Sequence, residues 1–257
     1  MTVRVAYGSI ARVAIDAPRT RNALSTAIIS GAAEAIRSLS QSSGIRVIVL
    51  TGEGGTFSSG VDLKENAPVE SVTAAVIALF EAIAESPIPV LARVEGHCLG
   101  LAVGVMAACD LAIAATETSF GLPEPRMGQA PTLAALTIVP RLRASDANEL
   151  LLTGAMFDGA RACQLGLVNE SVPARELDDA VERWTELVRA GGPAAIAACK
   201  RLVRGVRTLA APEALALATD LARRIPEGTE AEEGLAAFRE RRVPDWATPA
   251  GEDTRPT

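Results

Sequence analysis

The run Val47, Ile48, Val49, Leu50 constrains the fold more than any other stretch of this chain. It offers no polar face, so as a strand it must be covered on both sides, as parallel strands between helices are. It feeds a glycine-rich loop, residues 51–60, and the theme of strand, glycine turn and helix then returns. The second instance is a strand at Val90–Val94, the turn Glu95-Gly96 and a helix at Leu101–Ala108, followed by a buried strand at Leu111–Ala115. The spacing is irregular, which excludes a propeller or a short-repeat solenoid. Upstream, residues 3–7 and 10–15 flank Gly8-Ser9 as a hairpin. Leu24, Ile28, Ala32, Ile36 and Leu39 recur at helical spacing, and residues 69–84 read as another apolar helix.

Near Pro173 the texture changes. Residues 176–189, 193–205, 211–224 and 229–242 read as four amphipathic helices, with breaks at Gly191-Gly192, near Pro212 and at Pro226. The expected organisation is an α/β core over residues 1–190 and a helical subdomain over 191–257, its tail mobile beyond Pro244. A chain of 257 residues, 49% hydrophobic and 22% charged, buries a sizeable core and is neither disordered nor collagen-like. A net charge of −6 argues against a nucleic-acid partner, which needs a clustered cationic footprint. The basic stretches 200–207 and 239–242 leave room for a local anion site.

The apolar stretch 98–115 approaches the length of a membrane span. Asp110, Gly100 and Gly104 interrupt it, so a helix followed by a core strand is the better reading and no membrane partner is expected. Residues 1–5 carry no apolar signal segment. Cys98, Cys109, Cys163 and Cys199 form no CxxC pair and no ligand-like group with the lone His97. No metal site is expected, and the thiols read as reduced in a soluble, cytoplasmic protein.

Two glycine turns leave buried strands and enter helices, at residues 58–62 and 96–101. Such turns point free N–H groups at a ligand with a helix dipole behind them. Equally, glycine permits positive φ in any tight turn, and for either turn alone that is the favoured reading. Neither is a phosphate loop or a dinucleotide fingerprint. Glu124 is more pointed. Held between Pro123 and Pro125, it is expected in a stiff, non-helical loop. Apolar neighbours Phe120, Leu122 and Met127 would raise its pKa toward an acid/base range, the alternative being a solvated loop carboxylate.

Taken in order, Arg21-Asn22-Ala23-Leu24, residues 47–52, Thr56-Phe57-Ser58-Ser59-Gly60-Val61-Asp62-Leu63-Lys64 and Pro87-Ile88-Pro89-Val90 resemble the enoyl-CoA hydratase/isomerase (crotonase) family. So do Glu95-Gly96-His97-Cys98-Leu99-Gly100, Ala108-Cys109-Asp110-Leu111, Phe120-Gly121-Leu122-Pro123-Glu124, Leu151-Leu152-Thr153-Gly154, residues 162–168 and Glu233-Gly234-Leu235-Ala236-Ala237-Phe238. The resemblance covers nearly the whole chain. It implies an α/β spiral of ββα units followed by a helical trimerisation subdomain, a homotrimer or hexamer, and acyl-CoA as substrate. No separate cofactor is implied, since CoA enters as part of the substrate. By position it implies an oxyanion hole from the N–H groups of Val61 and Leu101, on turns carrying Gly60 and Gly100. Lys64 and Arg241 fall at phosphate-binding positions, and Phe238 where an aromatic of the neighbouring subunit packs near the adenine. Asp16, Arg19 and Arg21 would line the CoA entrance, Asp62 would order its own turn, and His97 would be structural.

The departures from the pattern narrow the chemistry. Hydratases of the family position water with two glutamates; Glu124 takes the second position, but the first is Gly104. The downstream carboxylate of dienoyl isomerases aligns with Thr132, and Leu101 stands where glycine is common. One carboxylate suffices to move a proton within an acyl chain, so Δ3–Δ2 enoyl-CoA isomerisation through Glu124 is favoured. The alternatives are a hydratase in which Glu124 works with an atypical second group, a decarboxylase or hydrolase, and a CoA-thioester binding protein that has lost turnover.

Overall fold

The structure is a computed structural model and describes residues 2–247; the expected mobile tail lies outside these from residue 248 onward. Strand β1 (Thr2–Ala6) pairs antiparallel with β2 (Ile10–Asp16). Helix α1 (Thr26–Ser40) starts at Ser25, whose hydroxyl accepts the Ile28 N–H, satisfying one of the donors a helix start leaves open. Its apolar face, including Ile28, Ile36 and Leu39, is buried. Strand β3 (Val47–Gly52) is buried at every position. Helix α2 (Val69–Glu85) then packs on α1.

Next come β4 (Val90–Val94), β5 (His97–Leu99), α3 (Leu101–Ala108), β6 (Leu111–Ala115) and β7 (Ser119–Gly121). Helices α4 (Thr132–Ile138) and α5 (Ala144–Thr153) follow, then β8 (Met156–Phe157), α6 (Gly159–Gln164) and β9 (Glu170–Val172). The strands form two sheets, β1-β2-β3-β4-β6-β9, parallel except at its first pair, and β5-β7-β8, and from β4 to β7 the chain alternates between them. Each return from the large sheet to the small one and out through a helix makes one ββα step of a spiral. The short elements between residues 119 and 172 carry too few residues to show a period, which is why they are not legible in the sequence.

Four further helices follow among the described residues: α7 (Leu177–Arg189), α8 (Pro193–Thr208), α9 (Ala211–Arg224) and α10 (Thr229–Glu240). The described residues up to Trp184 form one compact unit and those from Thr185 onward a second, a division inside α7 rather than at residue 190. In the second unit the mobile tail expected after Pro244 needs correction at its start. Residues 245–247 form a 3-10 turn. The Trp246 ring sits over Gly234, where a β-carbon would lie 2.9 Å from it, and its indole N–H donates to the Ala190 carbonyl at 3.2 Å.

Candidate active site

The two glycine turns meet in the first unit. Ser58, fully buried, forms a parallel bridge with Cys98. Its N–H donates to the His97 carbonyl at 2.9 Å and its own carbonyl accepts the Leu99 N–H at 3.1 Å. A β-carbon on Gly60 would lie 2.7 Å from the Leu99 carbonyl oxygen, so only glycine lets the turns approach this closely. Gly100 has φ +54° and ψ −124°, a backbone region closed to side chains.

This packing consumes the backbone donors around it. Ser59 N–H donates to the Arg21 carbonyl (2.9 Å), Gly60 N–H to the Ser58 hydroxyl (3.1 Å) and Asp62 N–H to the Leu24 carbonyl (3.1 Å). On the other turn, Gly100 N–H donates to the Gly121 carbonyl at 2.8 Å. The N–H of Val61, and that of Leu101 at the start of α3, have no acceptor among the described residues. Helix α3 is apolar on every side and buried from Leu101 through Ala107. Two free donors on touching turns, one at the positive end of a buried helix, suit a carbonyl oxygen that gains negative charge.

Glu124 reaches the same place from β7. It begins a one-turn 3-10 helix, Glu124–Met127, which corrects the non-helical loop expected between two prolines. A proline in a helix's first turn forfeits no ladder bond, so Pro125 starts the turn instead of preventing it. The Glu124 carboxylate rests on Gly100: a β-carbon there would lie 2.6 Å from Oε1 and 3.7 Å from Oε2. Oε2 is buried with no hydrogen-bond partner among the described residues. Burial pushes the carboxyl above its ordinary value of 4.5, against a smaller lowering by the backbone N–H of Glu124 itself. A partly buried carboxylate with one oxygen left unpartnered, beside the turn that ends in Leu101 N–H, suits a proton acceptor at a carbon next to a bound carbonyl.

Gly104, one turn along α3, is packed against α4. A β-carbon at Gly104 would lie 2.6 Å from the Ala134 α-carbon and 3.0 Å from its β-carbon. The Thr137 hydroxyl donates to the Gly104 carbonyl at 2.8 Å. The position is therefore occupied by the neighbouring helix. Thr132 is exposed at the start of α4.

The remaining expected residues fall in two groups. Asp62 Oδ1 accepts the N–H of exposed Lys64 at 3.0 Å. Arg19 is exposed on the 3-10 turn Pro18–Thr20, whose Thr20 carbonyl accepts the Ser59 hydroxyl at 3.2 Å. Arg21 is exposed, while Asp16 pairs with Arg4 at 2.7 Å. Phe238, 83% exposed on α10, and Arg241 at that helix's C-cap belong to the second unit. His97 Nδ1 is buried without a partner among the described residues. Burial, with the Cys109 thiol nearby, pushes the Cys98 thiol up.

Sequence reasoning missed two contributors. Asn22 was visible only as part of a motif, although asparagine is one of the few residues that accepts left-handed backbone. Ala134 carries no local signal at all.

A family model for enoyl-CoA hydratase/isomerase matches residues 5–249. The chain is 30% identical over 248 residues to cyclohexa-1,5-dienecarbonyl-CoA hydratase of Thauera aromatica, covering 93% of each chain. It is 32% identical over 250 residues to mitochondrial enoyl-CoA hydratase domain-containing protein 2 of Bos taurus, covering 91% of this chain and 83% of that one. The crystal structure of an enoyl-CoA hydratase from Mycobacterium smegmatis matches with a TM-score of 0.91 at 28% identity, covering 96% of this chain and 100% of that one.

Proposed function

The chain belongs to the enoyl-CoA hydratase/isomerase family, and from that premise we propose that it is a single-acid Δ3–Δ2 enoyl-CoA isomerase. The observation that carries this reading is Gly104 closed against Ala134 while the Glu124 carboxylate rests on Gly100. A hydratase of this kind needs a second group to hold the attacking water, and here a helix backbone fills that place.

In the proposed reaction the thioester oxygen accepts hydrogen bonds from Val61 and Leu101 N–H. Glu124 takes the proton from the carbon next to the carbonyl, and the C–H electron pair moves toward that oxygen as an enolate. Glu124, now protonated, returns the proton at the γ-carbon while the double bond moves into conjugation. No water is consumed and the carboxylate is regenerated. Burial serves this cycle, since it lessens the penalty for the protonated form that must exist midway. Arg19, Gly60, Asp62, Lys64 and Gly100 would form the CoA side of the cleft, with Phe238 and Arg241 contributed across a homotrimer or hexamer. Exposed Val203, Val206, Leu215, Leu235 and Phe238 on α8 to α10 support such assembly. The chemistry needs no cofactor, CoA arriving with the substrate. Cytoplasmic placement rests on four free cysteines.

A second reading, hydration, is favoured by the names of the relatives, two of which are hydratases. The test uses 3-hexenoyl-CoA and follows the absorbance of the conjugated thioester, with Glu124→Gln as control. A rise that the variant abolishes supports isomerisation. A flat trace, with turnover of 2-hexenoyl-CoA in the presence of water, supports hydration. Tight CoA-ester binding with neither reaction supports a binding protein.

A further inference from the structure

We propose that Asn22 is a positioning residue that aims the Val61 N–H at the thioester oxygen; this rests on the acyl-CoA reading above. Asn22 is completely buried and has left-handed backbone, φ +55°. Its Nδ2 donates to two carbonyls, Glu53 at 2.8 Å and Thr56 at 2.6 Å, and its Oδ1 accepts the Ala17 N–H at 2.8 Å. Both amide protons are thus used, with one acceptor position. All three partners lie outside residues 57–62, so the side chain does not touch the site. Instead it clamps the segment 17–22 to the loop 53–56.

What that clamp fixes is the strand-like stretch just after it. Leu24 N–H donates to the Gly60 carbonyl at 2.7 Å, and the Leu24 carbonyl accepts Asp62 N–H at 3.1 Å. The Gly60 carbonyl and the Val61 N–H belong to one planar trans peptide group, in which C=O and N–H point in opposite directions. Holding that carbonyl toward Leu24 therefore turns the Val61 N–H away from residues 21–24. The direction of the free donor is set by Leu24, and Leu24 is held two residues from Asn22. Oxyanion stabilisation depends steeply on such aim.

The test compares wild type with Asn22→Gly and Asn22→Asp. Glycine accepts the positive φ without strain, so that variant removes the hydrogen bonds while sparing the backbone conformation. Aspartate keeps the shape but turns an acceptor toward two carbonyls. The probe is hexanoyl-CoA isotopically labelled at the thioester carbonyl; difference infrared spectroscopy reads its C=O stretch when bound, beside its affinity and the isomerisation kinetics. The expected result is a lowered C=O stretch in wild type that moves back toward its solution frequency in a folded variant. Affinity would stay within about threefold and kcat would fall about 100-fold, the cost of misplacing a reacting group slightly. A variant with an unchanged stretch and kcat within about threefold of wild type, whatever its melting temperature, overturns the proposal alone. A wild-type C=O stretch equal to that in solution overturns both the proposal and the acyl-CoA reading. If the glycine variant does not fold, the aspartate variant is judged by the same readouts; if neither folds, Asn22 is a folding determinant and the proposal is overturned.

Discussion

The carboxylate of Glu124 is seated directly on Gly100, at a distance that leaves no room for a β-carbon, which would lie 2.6 Å from Oε1. The same glycine turns the chain into α3 and precedes the free N–H of Leu101. One residue thus sets both the approach of the acid and the direction of a donor.

Gly100→Ala is therefore expected to damage activity well beyond its effect on stability. The positive φ would cost about 1–3 kcal/mol, and the added methyl would push the carboxylate off the turn. A fall in isomerisation of about 100-fold is expected from displacement of the reacting group. Steady-state rates beside a thermal melt of the same preparation check it; loss of rate in mere proportion to unfolded protein would contradict it.

Glu124→Gln should stabilise the fold at neutral pH. Burial raises the folded-state pKa above 4.5. The folded chain then binds the proton more tightly than the unfolded one, and this favours folding only in acid. That contribution is lost as pH rises through the raised value. Removing the charge should raise Tm at pH 7, with the difference vanishing once the pH falls below the unfolded carboxyl's ordinary value. Calorimetry across that range decides.

The rate should show the same group from the other side. A base must be unprotonated to act, so kcat/KM is expected to rise with pH along a limb whose midpoint lies above 4.5, the ordinary value for this carboxyl. A midpoint at or below the ordinary value would assign the limb to another group.

Restoring the second acid at Gly104 should fail. In Gly104→Glu the new β-carbon would meet the Ala134 backbone 2.6 Å away. Overpacking of this kind costs about 1–3 kcal/mol before the buried charge is counted. The expected outcome is a less stable protein with no gain in hydration of 2-hexenoyl-CoA, measured by loss of conjugated absorbance. A stable variant with new hydratase activity would show that α4 yields.

In the second unit, Glu233 accepts from both terminal nitrogens of Arg242, at 2.6 and 2.7 Å, and from the Asp245 N–H. The Arg242 hydrogen bond, with help from Asp245 N–H, holds the carboxyl at about 2. A lowered pKa gives stability that is present above the unfolded value and lost as pH falls toward 2. Amide exchange at Asp245 is expected to speed up as pH drops through that window, relative to the intrinsic rate, and Glu233→Gln should remove the pH dependence.

Much of this was legible in the chain itself. The double-faced run Val47 to Leu50, the hairpin at Gly8-Ser9 and the amphipathic helices declare themselves through local periodicity, because burial on one or two faces imposes a period on the sequence. The glycines at 60 and 100 and the carboxylate at 124 were visible as residue types, and their order along the chain carried the family. The helix α4, by contrast, left no usable pattern in seven residues. The local reading of Glu124 also erred: two prolines looked like helix breakers, yet one of them starts a helical turn.

By itself, then, the sequence determined which groups exist: two glycine turns, one acid where two are common, and a glycine at 104. Tertiary structure decided what each of them meets. That Gly104 is filled by Ala134 and Glu124 rests on Gly100 depends on contacts between segments far apart in the chain. So does the joining of the 17–22 and 53–56 loops by Asn22. Local spacing encodes the period of an element; it does not encode the partner against which the element closes, which packing of the whole core selects.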